Sequence, residues 1–285
     1  EHHSNIVPWQ MVAEATGATV EPIAVSADGT IDIAAFTAQL DTRVKMVAIG
    51  HVSNALGSVN PVADIVALAH SVGACALIDA AQSIAHWPID VQALDCDFLV
   101  FSGHKMFGPT GIGALYGKRE LLEAMPPYQG GGEMIESVSF AGTVYNQLPY
   151  KFEAGTPNIA GAIGLAAAVD FLQSFDRAQA DAHEQQLLKS AEQQLQALGG
   201  YPLVGTSANK VAVMSFTCDF AHPQDVGMIL DQQGVAVRTG NHCAQPIMDQ
   251  FGIPGTVRAS FSLYNNEDDV AKLIAALTKA KMFLA

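Results

Sequence analysis

Apolar positions fall into two rhythms along this chain. Short apolar runs at residues 20–25, 45–50, 74–79, 97–102 and 111–116 have strand length, and polar or glycine-containing stretches separate them. Between them, residues 32–40 and 62–72 carry apolar side chains at helical spacing. This alternation predicts a largely parallel sheet sandwiched by helices. From residue 126 to 158 the pattern breaks into proline and glycine, including Gly130-Gly-Gly132, which predicts an irregular functional excursion rather than a polar linker. A long helical region is expected over 160–198, broken near 174–176. After it come a strand at 211–216, a helix at 223–233, a strand at 235–238 and a closing helix at 267–284. The fold class is α/β. We divide it into a large domain, 1–160, and a smaller α+β carboxyl-terminal domain, 161–285.

Composition narrows the function classes. The 285 residues are 49% hydrophobic but only 7% aromatic, a balance that suits a globular enzyme and not a disordered chain. The longest uncharged apolar stretch, about 159–169, is shorter than the roughly 20 residues a bilayer span needs. No basic segment followed by an apolar one marks a signal peptide. A formal charge of -14 argues against nucleic-acid partners, and an anionic ligand must then be held by a few local donors. Cys75, Cys96, Cys218 and Cys243 are widely spaced, with no C-x-x-C pair, so a reducing cytoplasm is the expected location. Cys75 and Cys96 sit in apolar runs and read as buried thiols.

The candidate chemistry lies at strand ends. Ala74-Cys-Ala-Leu-Ile-Asp79 delivers a carboxylate with Gln82 three residues on, and Asp97-Phe-Leu-Val-Phe-Ser-Gly-His-Lys105 delivers a hydroxyl, an imidazole and an amine. Ligands of parallel sheets bind at the carboxyl ends of their strands. That set is what pyridoxal phosphate (PLP) needs: Lys105 for the imine, Asp79 for the pyridine nitrogen, Ser102 and His104 for the phosphate, Gln82 for the phenolic oxygen. Asp79 could instead cap the following helix, and Lys105 alone would read as a surface lysine. Cys243, in the polar loop Arg238-Thr-Gly-Asn-His-Cys243-Ala-Gln-Pro246, is a candidate nucleophile, its thiolate favoured by His242 or Arg238. Arg258 could grip a substrate carboxylate bidentately, with Asn54 assisting. His2 and His3 do not read as a metal pair, because adjacent histidines point in different directions and no partner has ligand spacing.

These blocks resemble the group II cysteine desulfurases, of the SufS/CsdA type, within the class V aminotransferase-fold family. The match rests on Glu1-His-His-Ser-Asn5, His51-Val-Ser-Asn54, Asp79-Ala-Ala-Gln82, Ser102-Gly-His-Lys105, Glu153-Ala-Gly-Thr-Pro-Asn158, the Arg238–Pro246 loop and Arg258-Ala-Ser260, in family order along the whole chain. The His-Cys-Ala-Gln-Pro form looks more like the CsdA branch. The resemblance implies a PLP-dependent transferase of fold type I, with a mostly parallel sheet of the seven-stranded type. It implies that His2 stacks on the cofactor ring and that Thr156 reaches the phosphate of a neighbouring subunit in a homodimer. Asn54, Arg258 and Arg238 would hold the substrate, and Cys243 would accept sulfur from L-cysteine, releasing L-alanine. The persulfide would pass to a SufE/CsdE-like acceptor, for iron–sulfur cluster assembly or another sulfur-transfer pathway. Selenocysteine and cysteine sulfinate are implied as further substrates.

Family members begin well before the Glu-His-His motif that starts this chain. A truncated chain that binds PLP poorly alone is therefore an expectation. The rival readings are another class V aminotransferase or kynureninase-like lyase, for which Cys243 is incidental, and an inactive partner-binding fragment.

Overall fold

The computed structural model describes residues 1–285. The first part runs α1 (Val7–Thr16), α2 (Ile33–Gln39), β1 (Met46–Gly50), α3 (Val62–Ser71), β2 (Cys75–Asp79), α4 (Val91–Leu94), β3 (Phe98–Ser102), β4 (Gly113–Gly117) and α5 (Arg119–Ala124). A hairpin of β5 (Ile135–Ser139) and β6 (Gly142–Tyr145) leads to α6 (Ile159–Gln173) and α7 (Arg177–Leu198). The remainder is β7 (Leu203–Val204), β8 (Val213–Phe216), α8 (Pro223–Gln232), β9 (Arg238–Gly240), α9 (Gln245–Phe251), β10 (Thr256–Ser260) and α10 (Glu267–Leu284). No single helix is long and apolar enough to cross a membrane.

β1, β2 and β3 pair in parallel, and β4 joins antiparallel at the edge, giving the order β1-β2-β3-β4. The mostly parallel α/β sheet thus matches the expectation, with four strands in this chain. Residues 20–25 are a correction: only Val25 pairs, in a single bridge to Ile31. Pro22 has no N–H for a ladder and no neighbouring strand lies beside the run, so its β-like pattern goes unused. The strand expected at 235–238 is likewise displaced, beginning only at Arg238. The irregular excursion contains the β5–β6 hairpin. The helix break at 174–176 falls where expected, because Asp176 accepts from Ala178 N and Gln179 N and caps a new helix.

Two large cores and two smaller clusters hold the molecule. One joins Ile49, Ile65, Ala76, Ile78 and Leu99 beneath the parallel sheet. The other joins Leu187, Met214, Phe216, Leu230, Val257 and Leu277, from α7, α8 and α10 against the antiparallel sheet β7-β8-β10-β9. The segment after β1 stitches them together: Ser215 Oγ donates to Ala55 O at 2.5 Å and Val211 N to Gly57 O at 2.9 Å. Gly57, at φ +79°, is required there, since a Cβ would stand 2.9 Å from that of Val213. A second tie joins α7 to the turn after β2, where Arg177 reaches Ile84 O and His86 Nδ1 meets the buried Glu184 at 3.0 Å.

Asp97 locks the entrance of β3. Its buried carboxylate accepts from Ala76 N (2.7 Å), His70 Nε2 (2.8 Å) and Lys118 Nζ (3.0 Å). Burial pushes its pKa up, but the Ala76 N–H, His70 and Lys118 outweigh that and hold it below the usual value. A depressed carboxylate stabilises the fold above its unfolded-state pKa, and the contribution is lost as pH falls through the folded one. Asp97→Asn should therefore lower stability by about 2–4 kcal/mol at pH 7. The deficit should shrink below pH 4, as thermal melts at both pH values would show.

Candidate active site

The parallel strands deliver their ends to one place. Asp79 closes β2, and Ser102 closes β3 and opens the 3-10 turn Gly103–Lys105. Glycine at 103 lets the turn sit tightly on Ile112, since a Cβ there would stand 3.0 Å from its side chain and its carbonyl. α6 backs it closely: Gly164 lets the helix rest on Pro109, and Leu165 lies against Gly103 and Gly108. Lys105 is thus presented from a rigid seat, half-buried. Burial pulls its pKa below the usual lysine value. Asp79 opposes that shift, while Arg258 and Arg238 reinforce it, and Cys243 is close enough to act as well. Amine, carboxylate, two guanidiniums and a thiol therefore converge from both cores.

His2 joins this cluster. Its ring feels Lys105, Asp79 and Arg238, and burial is the main reason that its pKa falls. Ser4 N–H donates to its Nδ1 at 3.1 Å, so the neutral ring carries its proton on Nε2. Asp79 Oδ1 accepts from Ala81 N at 2.8 Å, a turn-closing bond, so the capping and charge-pairing readings are compatible.

The thiol's loop is tightly framed. His242 and Cys243 both take left-handed backbone, φ +56° and +57°, which is costly for residues with side chains and needs outside support. Asn54 Nδ2 donates to His242 O (2.6 Å), and His3 N to Cys243 O (2.7 Å). Gln245 N donates to His3 Nε2 (3.0 Å). Arg238 Nη2 lies 3.4 Å from Cys243 Sγ. On β10, Arg258 Nη1 donates to Asn54 O at 2.5 Å while its buried Nε has no partner in the chain.

His242 corrects one expectation. Its ring is 1% exposed, and burial, then Arg258 and Arg238, push its pKa down to about 4. It is neutral at neutral pH and cannot favour a thiolate; Arg238 is the cation beside the sulfur. A histidine whose folded pKa lies below 6.5 stabilises the fold fully above pH 6.5, and the contribution drains away toward pH 4 as the unfolded chain takes up protons first. Wild-type melting temperature should therefore drop between pH 7 and 5. His242→Phe should flatten that drop, and an unchanged slope in the variant would assign it elsewhere.

Gln82 sits half-buried in the Asp79 turn, Ser102 is half-buried at its strand end, and His104 and Thr156 are exposed. Thr156 lies on the turn before α6, whose cap Asn158 bonds Gly111 O at 3.2 Å. None of these four side chains makes a hydrogen bond within the chain, which leaves their polar ends free for a ligand. Cys96 is fully buried and Cys75 half-buried. The donor set, with a dehydrated amine, a carboxylate at a strand end and an arginine whose Nε lacks a partner, fits PLP and an amino-acid carboxylate. Two features escaped the sequence: the strand that carries Arg258 between β8 and β9, and the bonds from His3 to the cysteine's loop.

The family model for aminotransferase class-V matches residues 1–273. A probable cysteine desulfurase of Vibrio cholerae is 53% identical over 98% of this chain and 69% of its own length. A cysteine desulfurase of Dickeya dadantii is 48% identical over 100% of this chain and 69% of its own. The crystal structure of the Escherichia coli cysteine desulfurase CsdA superposes with a TM-score of 0.97 at 42% identity, covering 100% of this chain and 71% of that one. A NifS-like protein at 21% identity, with a TM-score of 0.84, shares the fold.

Proposed function

The chain belongs to the class V aminotransferase family, among its cysteine desulfurases, and we propose the following division of labour for breaking the C–S bond of L-cysteine. The family is PLP-dependent. Bound PLP supplies a carbonyl that condenses with amines and an electron-poor ring that takes up the electron pair released at the substrate's α-carbon. Lys105 would hold the cofactor, and its free amine would move the α-proton. Its burial favours the neutral amine that both tasks require. Asp79 pairs with the ring nitrogen, Gln82 donates to the ring oxygen and His2 covers the ring. Ser102 and His104 hold the phosphate, helped by Thr156 of a second subunit. In the division at residue 160, these groups come from 1–160 and the sulfur-handling groups Arg238, Cys243 and Arg258 from 161–285.

Arg258 and Asn54 take the substrate carboxylate. Arg258 keeps a buried Nε–H for it, and Asn54 O fixes the guanidinium plane. Arg238 stabilises the Cys243 thiolate, which forms an S–S bond to the substrate sulfur as the C–S bond breaks. The electron pair of that bond stays with carbon and is protonated. In sum, enzyme thiol and L-cysteine become enzyme persulfide and L-alanine, with no external oxidant. Selenocysteine and cysteine sulfinate are further substrates in this reading, because their leaving groups need no thiol acceptor, and the persulfide passes to an acceptor protein. One observation carries this reading: a thiol beside an arginine in the same electrostatic cluster as a desolvated lysine. Mass spectrometry of Cys243 after L-cysteine is added tests it. One extra sulfur is expected there, and alanine release with Cys243 unmodified would favour a lyase.

A further inference from the structure

The geometry points to His3 as a positioning residue that sets where the sulfur of Cys243 stands relative to the face that His2 presents to Lys105. This inference rests on the desulfurase reading above. The two histidines are neighbours in sequence with rings 6.4 Å apart, yet they serve different partners. His2 faces the Lys105 and Asp79 cluster. His3 turns the other way: its backbone N–H holds Cys243 O at 2.7 Å, and its Nε2 accepts the N–H of Gln245 at 3.0 Å. The same residue thus grips the loop twice, at the carboxyl-terminal end of the left-handed pair His242–Cys243, whose middle carbonyl Asn54 holds. Glu1 anchors the clamp to the sheet, its carboxylate accepting from Gly50 N (2.8 Å) at the end of β1 and from Asn5 Nδ2 (2.8 Å). Strand, cofactor-side imidazole and nucleophile loop form one connected chain of bonds. A displacement of about 1 Å at the thiol is enough to slow attack strongly.

The ring acts as an acceptor, so the test separates its acceptor from its bulk. In the PLP-loaded enzyme, His3→Gln keeps an oxygen for Gln245 N–H, whereas His3→Phe and His3→Ala do not. Persulfide formation on Cys243 is followed by mass spectrometry in a single turnover with L-cysteine. The rate of Cys243 alkylation by iodoacetamide is followed without substrate. The expected result is a loss of about tenfold in persulfide rate for Phe and Ala, an altered alkylation rate, unchanged cofactor absorbance, and recovery to within about twofold of wild type for Gln. Wild-type rates in Phe or Ala, or a Gln variant as slow as Phe, would overturn the assignment. So would loss of the fold in both Phe and Ala, because His3 would then serve stability alone. If wild type itself forms no persulfide on Cys243, it is the desulfurase reading that fails.

Discussion

Cys243→Ala will abolish persulfide formation and lower alanine release from L-cysteine by about a thousandfold or more, on the scale of losing a covalent nucleophile. The side chain is small and half-buried, so its removal leaves little cavity, and Asn54 and His3 bond backbone atoms that the substitution keeps. Melting temperature should stay within a few degrees of wild type. With cysteine sulfinate or selenocysteine, whose leaving groups depart without a thiol acceptor, most activity should persist. This contrast separates sulfur transfer from transamination or a kynureninase-like cleavage, which would survive with L-cysteine too. Arg238→Ala should give a milder form of the same defect, since the thiolate would lose its neighbouring cation. Single-turnover persulfide formation, followed by mass spectrometry of Cys243, would record that as a slower rate.

Lys105→Ala is expected to eliminate turnover on every substrate, by about 10⁴-fold or more. The residue is asked both to hold the cofactor covalently and to carry the α-proton, whereas Lys118, for comparison, is bound to Asp95 and Asp97. Borohydride reduction of the loaded wild type should fix the cofactor on the peptide bearing Lys105 and should fix none in the variant. Retention of the reduced label elsewhere in wild type would overturn the assignment. Because burial lowers this amine's pKa, the neutral form persists to lower pH than for an exposed lysine. Imine formation should accordingly extend below the range seen with free lysine and fail as the amine becomes protonated.

The strand-end positions of Asp79 and Lys105 could be read from sequence because each follows an apolar run that has only one plausible use. The closing helix was equally plain, and the structure adds a reciprocal cap from Asn266 and Asp269 at its start. The run 20–25 misled because alternation is a local property and pairing is not: Pro22 and the want of a neighbour decide. β10 was invisible because Thr-Val-Arg-Ala-Ser has a charge at its centre, which only the tie to Asn54 O makes tolerable. His242 was misjudged since sequence does not reveal burial, and burial sets its charge. For His3 the motif was legible, but its partner lies 242 positions away.

The bonds that frame the cysteine's loop span 188, 204 and 242 positions, from Asn54 to His242, Arg258 to Asn54 and Gln245 to His3. Such distant closures come late, after local helices and neighbouring strands have formed. A chain still emerging from the ribosome can complete its first core while its reaction centre remains unassembled. The thiol at 243 is therefore framed only once Gln245 and Arg258 have folded back onto His3 and Asn54.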